Sequence, residues 1–329
     1  MIRLRLAMAV DEYEHVRDLA CGKVRAGGID LNVIEMSAAE ACRRFAEFDV
    51  CEMAMGRHIA SLASGEDRWV AVPVFPSRLF GLGSILVRSD GPARRPEDLA
   101  GKRVGIRGWS ETSAIYVKGW MCEHVKIPLE GIEWFQAVER GEEQGQGQGQ
   151  GQSEVQVQVQ VPRGIRLVRV PGKPLEQLLL AGEIDALVGA SDSLLRDERV
   201  RRLIPDHRAA EARYCKDTGI FPILTTIVIG KHKFDANRWA ALELYRAFLK
   251  AKDNALERLL SQGIAKFPMP WGSTYAEEAK QRFGRDYWPY GVAANRTTLE
   301  AFCRFCHEQG LCVRRLKPEE LFASEASGA

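Results

Sequence analysis

The chain has 329 residues, 46% hydrophobic and 27% charged, a balance that supports one large globular body or two of ordinary size. Its 46 Lys and Arg against 44 Asp and Glu leave a formal net charge of +2, which argues against a nucleic-acid partner, since such binding asks for a clustered basic face. No run approaches the roughly 18 apolar residues that span a bilayer, so a membrane partner is not expected either.

Residues 3–9 alternate, with Arg3 and Arg5 set between Ile2, Leu4 and Leu6. That is a strand pattern, not the basic stub and apolar run of an export signal, and the expectation is a cytoplasmic chain. In chain order, the spacing then predicts a helix at 14–24, a strand at 29–34, a helix at 38–45 and strands at 50–53, 69–74, 84–87 and 103–106. A helix at 112–123 follows, then strands at 132–135 and 166–170, a helix at 175–181, and strands at 186–188 and 225–229. The helix predicted over 238–262 is the clearest, with Leu242, Tyr245, Leu249, Leu256 and Leu260 at helical spacing and basic residues between them. Two more are expected at 275–283 and 297–309. The last opens on Thr297-Thr298-Leu299-Glu300, a capping-box pattern, and stops at Gly310. Short apolar runs alternating with amphipathic helices predict an α/β fold with a mostly parallel sheet.

Residues 141–161 stand apart as a Gly-Gln tract followed by alternating Val and Gln. The first half has too little apolar surface to offset its ordering entropy, so the tract is expected to be a disordered insertion in a surface loop. Eight cysteines are present, among them Cys303, Cys306 and Cys312. Cys303 and Cys306 fall in a helical pattern with Leu299 and Phe302, which favours buried thiols over a metal site. No P-loop, dinucleotide fingerprint or zinc-protease motif is present, and no cofactor is expected.

Several stretches carry a resemblance. They are Phe48-Asp49-Val50-Cys51-Glu52-Met53, Pro73-Val74-Phe75-Pro76-Ser77-Arg78, Pro96-Glu97-Asp98-Leu99-Ala100-Gly101-Lys102, Gly182-Glu183-Ile184-Asp185-Ala186, Thr218-Gly219-Ile220-Phe221-Pro222-Ile223 and Asn295-Arg296-Thr297-Thr298-Leu299-Glu300. Together, and in this order, they resemble the 4,5-dihydroxyphthalate decarboxylase family, a branch of the type II periplasmic-binding-protein fold. The resemblance implies a two-lobed α/β body with hinge strands near 84–87 and 225–229 and an interlobe cleft. Lobe I would comprise 1–88 and 226–329, and lobe II 89–225. It also implies a cofactor-independent lyase acting on a dihydroxylated aromatic carboxylic acid. In one place the chain departs from the pattern: the Arg-His pair that follows Pro-Ser-Arg-x-Phe in the family is Gly81-Leu82 here.

Ligands of open α/β sheets bind at the carboxyl ends of strands, so the residues just past those ends are the candidates. Arg78 is expected to hold a substrate carboxylate by two parallel bonds, unless it serves a salt bridge instead. Arg107, Ser110, Thr112 and Ser113 sit between a strand and a helix and would seat an anion, with Ser110 equally readable as a helix cap. Glu52 is the candidate base and His58, one helical turn on, the candidate proton donor; the alternatives are an ion pair of Glu52 with Arg57 or Arg78 and a structural histidine. Tyr13 would stack on or bond to an aromatic ring, with Asp11 as a cap. Thr218, Gly219 and Phe221 lie beside the second hinge strand, Gly219 letting backbone approach the ligand, with a structural turn as the alternative. Asn295 and Arg296 read as structural. The expected partner is a small anionic or aromatic carboxylate, and self-assembly stays open. Two other functions also stay open: a non-catalytic binder of a small anion, and another lyase or isomerase on the same scaffold.

Overall fold

The structure, a computed structural model, describes residues 3–138, 161–189, 193–261 and 267–327. Apart from Val161, the tract at 141–161 lies outside the described residues. Eleven strands form two sheets. The first has the order β2-β1-β3-β11-β4, from β1 (Leu4–Val10), β2 (Ile29–Glu35), β3 (Val50–Ala54), β4 (Trp69–Val72) and β11 (Thr225–Gly230). β1 runs parallel to β2, with Leu4 opposite Ile29, and to β3, whereas β11 is antiparallel to both β3 and β4. The second has the order β10-β5-β9-β6-β7-β8, from β5 (Ile85–Arg88), β6 (Arg103–Ile106), β7 (Glu133–Val138), β8 (Arg166–Pro171), β9 (Ala186–Val188) and β10 (Val200–Arg202). Every residue of β11 is buried, as its unbroken apolar run requires of a strand covered on both faces.

The stretch read as the first hinge strand is β5, and it pairs with β9 and β10 of the second sheet. By strand pairing, β5 therefore belongs to the second sheet. The crossing itself lies between β4 and β5. There Arg78 bridges to Ile223 in the returning chain, and the Leu224 N–H donates to the Ser77 carbonyl at 2.9 Å.

Helices cover the sheets much as their apolar spacing demands: Thr112–Trp120, Trp239–Leu260, Gly272–Phe283 and Arg296–Glu308. Three expectations change. The helix expected at 14–24 is a single turn, Arg17–Ala20. The capping box at Thr297 does not form: Asn295 precedes the helix without a side-chain cap, and Thr298 Oγ1 accepts the Phe221 N–H at 3.1 Å instead. The His207–Thr218 helix has no counterpart in the pattern, because only Glu211 and Tyr214 of its residues are buried and its polar sequence shows no apolar face.

The carboxyl ends of the two sheets meet. The Gly56 N–H, at the start of the Met55–Ala63 helix, donates to Thr112 Oγ1 at 3.0 Å, at the start of the helix after β6. A Cβ on Gly56 would stand 2.0 Å from the Ser110 carbonyl oxygen, so only glycine allows this approach. Gly56→Ala must part the two turns. A loss of about 1–3 kcal/mol in stability, as for other overpacked sites, is expected in denaturant unfolding, together with a larger radius of gyration by X-ray scattering. An unchanged midpoint and radius would refute the contact.

Candidate active site

β3 is an interior strand, so its side chains meet protein on both faces. Glu52 sits in its middle at 0% exposure. A carboxyl taken out of water must find donors, and Glu52 finds them past the end of β1. Tyr13 Oη donates to its Oε1 at 2.8 Å and the Asp11 N–H to its Oε2 at 3.2 Å, with the Thr225 side chain also bonding to it. Burial pushes the Glu52 carboxyl above the usual carboxylate range, against the pull of the Thr225 and Tyr13 hydrogen bonds. Burial, and then the negative charge of Glu52, likewise push the Tyr13 phenol up.

His15 completes this group. Its ring lies 5.2 Å from that of Tyr13 and 5.6 Å from that of Trp288, and its Nε2 is buried without a hydrogen-bond partner. Burial lowers its pKa to about 4, opposed by a hydrogen bond with the Pro76 backbone, so the imidazole is neutral near pH 7.

The turn after β6 carries the second half of the candidate site. Trp109 is fixed by three bonds: its N–H to Gln136 Oε1 at 3.1 Å, its indole N–H to the Gln309 carbonyl at 2.8 Å, and its own carbonyl accepting from Lys118 Nζ at 2.6 Å. Lys118 is fully buried and stands 3.5 Å over the Trp109 ring, and burial holds its pKa well below the ordinary lysine value. Glu111 follows, its Oε1 accepting from Ser113 Oγ at 3.0 Å and its Oε2 buried without a partner. Burial raises the Glu111 pKa too.

Of the residues expected from the sequence, Tyr13 and Glu52 are in direct contact, and Ser110, Thr112 and Ser113 line the turn that reaches Gly56. Ser110 is not a cap; Glu111 precedes the helix, with no side-chain cap bond. Arg107 is exposed and 3.9 Å from Glu176. Asp11 does cap, accepting the Ala38 N–H of another helix at 2.9 Å. No ion pair joins Glu52 to Arg57 or Arg78 among the described residues.

His58 is not with this group. It is buried, and its Nε2 meets the Leu321 carbonyl at 2.7 Å, tying the C-terminal segment to the Met55–Ala63 helix. Arg78 faces the other way as well. It is 5% exposed, and its guanidinium donates to the Phe221 carbonyl at 3.3 Å, the Pro289 carbonyl at 2.9 Å and Asn295 Oδ1. Backbone and amide oxygens, not a carboxylate, hold it. The Thr218 hydroxyl closes the end of its own helix, donating to the Tyr214 carbonyl at 2.6 Å, and Gly219 at φ 69° is the left-handed residue ending it. The Phe221 ring stacks on Phe80 and Phe283.

Sequence reasoning passed over His15 and Glu111. His15 was absorbed in the predicted helix at 14–24. The signal for it was its place two residues beyond Tyr13, in the loop that follows β1. Glu111 was hidden between hydroxyl residues that read as an anion seat.

The chain is 31% identical over 329 residues to the 4,5-dihydroxyphthalate decarboxylase of Comamonas testosteroni, covering 98% of this chain and 97% of the relative. It is 30% identical over 193 residues to the enzyme of the same name from Pseudomonas putida, covering 57% of this chain and 71% of the relative. No protein-family model matches it. Among solved structures, a putative periplasmic sulfonate-binding protein SsuA from Methylobacillus flagellatus superposes with a TM-score of 0.54 at 14% identity, covering 98% of this chain and 92% of that one. The aliphatic sulphonate binding protein SsuA of Escherichia coli does so at 0.52 and 11%, covering 99% of both chains. The desulfurization enzyme DSZB gives 0.51 and 13%, covering 99% and 98%. These likenesses show the fold. With its two mixed sheets and crossed connections, the chain has the two-lobed α/β fold of the periplasmic binding proteins, and it belongs to the 4,5-dihydroxyphthalate decarboxylase family.

Proposed function

We propose that the chain decarboxylates a dihydroxylated aromatic carboxylic acid such as 4,5-dihydroxyphthalate, with Tyr13, Glu52 and His15 as its reacting group. The observation that carries this reading is Glu52: a fully buried carboxyl with a raised pKa in the middle of a central strand, held by the Tyr13 hydroxyl from beyond the end of β1. Perturbed acids in such places are functional candidates. Family membership supplies the reaction class.

The chemistry asks for few groups. Glu52, ionised, takes the proton of the ring hydroxyl para to the departing carboxylate. The ring carbon bearing that carboxylate becomes electron-rich and accepts a proton. The carbon–carbon bond then breaks, its electron pair restores the aromatic ring, and carbon dioxide leaves. The proton that Glu52 takes returns to the ring carbon through solvent, while His15, neutral near pH 7 because burial lowers its pKa to about 4, borders the group beside Tyr13. Tyr13 orients Glu52 through its 2.8 Å bond. The turn with Ser110, Thr112 and Ser113, and Arg107 beyond it, receives the carboxylate from the opposite lobe.

A second reading, another carboxylated substrate on the same scaffold, is favoured by Gly81 and Leu82. A Cβ on Gly81 would lie 2.8 Å from Val117 Cγ2, and Leu82 is buried. The space where relatives carry Arg and His is packed apolar here. A third, capture of a small anion without reaction, draws on the sulfonate-binding neighbours.

Purified protein mixed with 4,5-dihydroxyphthalate is expected to release carbon dioxide and 3,4-dihydroxybenzoate. Tight binding without product would point to the binder, and turnover of other aromatic acids alone to the second reading. Glu52→Gln should lower kcat by about 10²-fold or more, within the range for a general base, while His58→Gln should lower stability by about 1–3 kcal/mol and leave kcat near its wild-type value. The reverse pattern would restore His58 as the donor.

The pH dependence of stability separates the two buried groups. His15 has its folded pKa lowered from 6.5 to about 4, so its contribution is complete above pH 6.5 and is lost as pH falls towards 4. Glu52 has its folded pKa raised from 4.5, so its contribution is complete below that value and is lost as pH rises through the folded pKa. In urea titrations, His15→Asn should flatten the acid side of the stability curve and Glu52→Gln the neutral side. Parallel curves for wild type and both variants would rule out these environments.

A further inference from the structure

A cavity of about 790 Å³ lies away from the Tyr13–Glu52 group, between the His207–Thr218 helix and the segment running from the Gly272–Phe283 helix to Thr298. Its lining holds four cations, Arg78, Arg213, Lys216 and Arg282, and no carboxylate. Cations of one sign crowded around a hollow repel each other, and at protein surfaces they usually find acidic partners. Arg208, at the same helix pair, does so with Glu278. Among the described residues, Arg213, Lys216 and Arg282 have none within ion-pair distance.

The floor adds two independent signs of a missing ligand. Arg78 is more than nine-tenths buried, and its Nε–H has no partner although its terminal nitrogens do. The hydroxyl of Tyr287 is also buried and unpartnered. Buried polar groups are paired in the great majority of cases, so two orphans lining one cavity ask for an occupant. Burial has lowered the Arg78 pKa only to about 10, so the guanidinium stays charged near neutrality and an anion would complete it. The wall between them is aromatic: Phe221 and Phe283, stacked at 5.6 Å, both line the cavity.

The cavity is separated from the reacting group by one layer of protein. Trp288 touches His15 on one side, at 5.6 Å, and Phe221 on the other, at 5.7 Å. Ser77 bonds towards Tyr13 while its neighbour Arg78 turns to the cavity, as alternate residues of extended chain do.

We propose that this cavity is a second ligand site, for a small aromatic dicarboxylate, separate from the reacting group. The ring packs on the Phe221–Phe283 wall, one carboxylate meets Arg78 Nε and the Tyr287 hydroxyl, and the other is held at the mouth by Arg213, Lys216 and Arg282. The occupant ties the helix that returns the chain to β11 against the C-terminal part of the first lobe, and so stiffens the crossing between the lobes.

Phthalate is the probe, because it has the ring and both carboxylates but no hydroxyl for Glu52 to deprotonate. Calorimetric titration into the full chain is expected to show binding that weakens at least tenfold in the double variant Arg213→Ala/Arg282→Ala, both positions being exposed and safe for folding. The same titration should be unchanged in Arg166→Ala, which removes an exposed cation on β8 that does not line the cavity. Phthalate should also raise the melting temperature of wild type but not of the double variant. Four results would each overturn the proposal: no binding of phthalate at millimolar concentration, equal affinity in the double variant, an equal loss of binding in Arg166→Ala, or inorganic phosphate binding as tightly as phthalate.

Discussion

The docking of the Arg296–Glu308 helix, from the first lobe, on the Thr112–Trp120 helix, from the second, is the contact on which the candidate site depends. Gly119 makes it possible: a Cβ there would stand 2.7 Å from the Phe305 ring. Tyr116 stacks on Phe302 at 5.2 Å, and Gln309 Nε2 donates to the Ile115 carbonyl while its own carbonyl accepts from the Trp109 indole. One large hydrophobic cluster therefore spans residues of both sheets, and a smaller one of Leu86, Leu175, Leu178, Leu179, Ile184, Leu187 and Leu194 packs on the second sheet alone. Lobes joined by a small polar interface move freely, whereas these are held by buried aromatic rings. The turn at 107–113 is consequently fixed by Gly56 and Gln309, with Lys118 packed beneath it.

Desolvation then sets the chemistry, and it acts in opposite senses on neighbouring groups. It disfavours whichever form carries charge. Glu52 and Glu111 are thereby driven towards their protonated form, and His15 and Lys118 towards their neutral form. The same rule applied to Arg78 leaves a charged group, because a guanidinium starts too high to be neutralised.

The crossing from β4 to β5 divides the molecule's polar interior into two chambers. Ser77 belongs to the reacting group, and Arg78 to the cationic cavity. Trp288 and Phe221 pack between them, ring centroids 5.7 Å apart, with the Trp288 indole N–H anchored on the Phe75 carbonyl at 3.1 Å. Residues adjacent in sequence thus turn to different neighbours, Ser77 to Tyr13 and Arg78 to Phe221, Pro289 and Asn295.

The sequence by itself determined the fold class and most strands, because period-2 runs such as that of β1 and continuous apolar runs such as that of β11 leave few other ways to bury their side chains. It also singled out Tyr13 and Glu52, which the structure brings into contact, and the motif resemblance agreed with the family that the comparisons establish. Tertiary structure decided the rest. His58 and His15 look alike in sequence, yet one is occupied by the Leu321 carbonyl from 263 residues away and the other is left with a free nitrogen. Arg78 was legible as an important cation, but only the packed chain shows that Phe221, Pro289 and Asn295 turn it from Glu52. The His207–Thr218 helix could not be read, because its polar faces gain their neighbours from segments distant in sequence. Hydrogen-bond partners and burial are properties of long-range contacts, and no local pattern carries them.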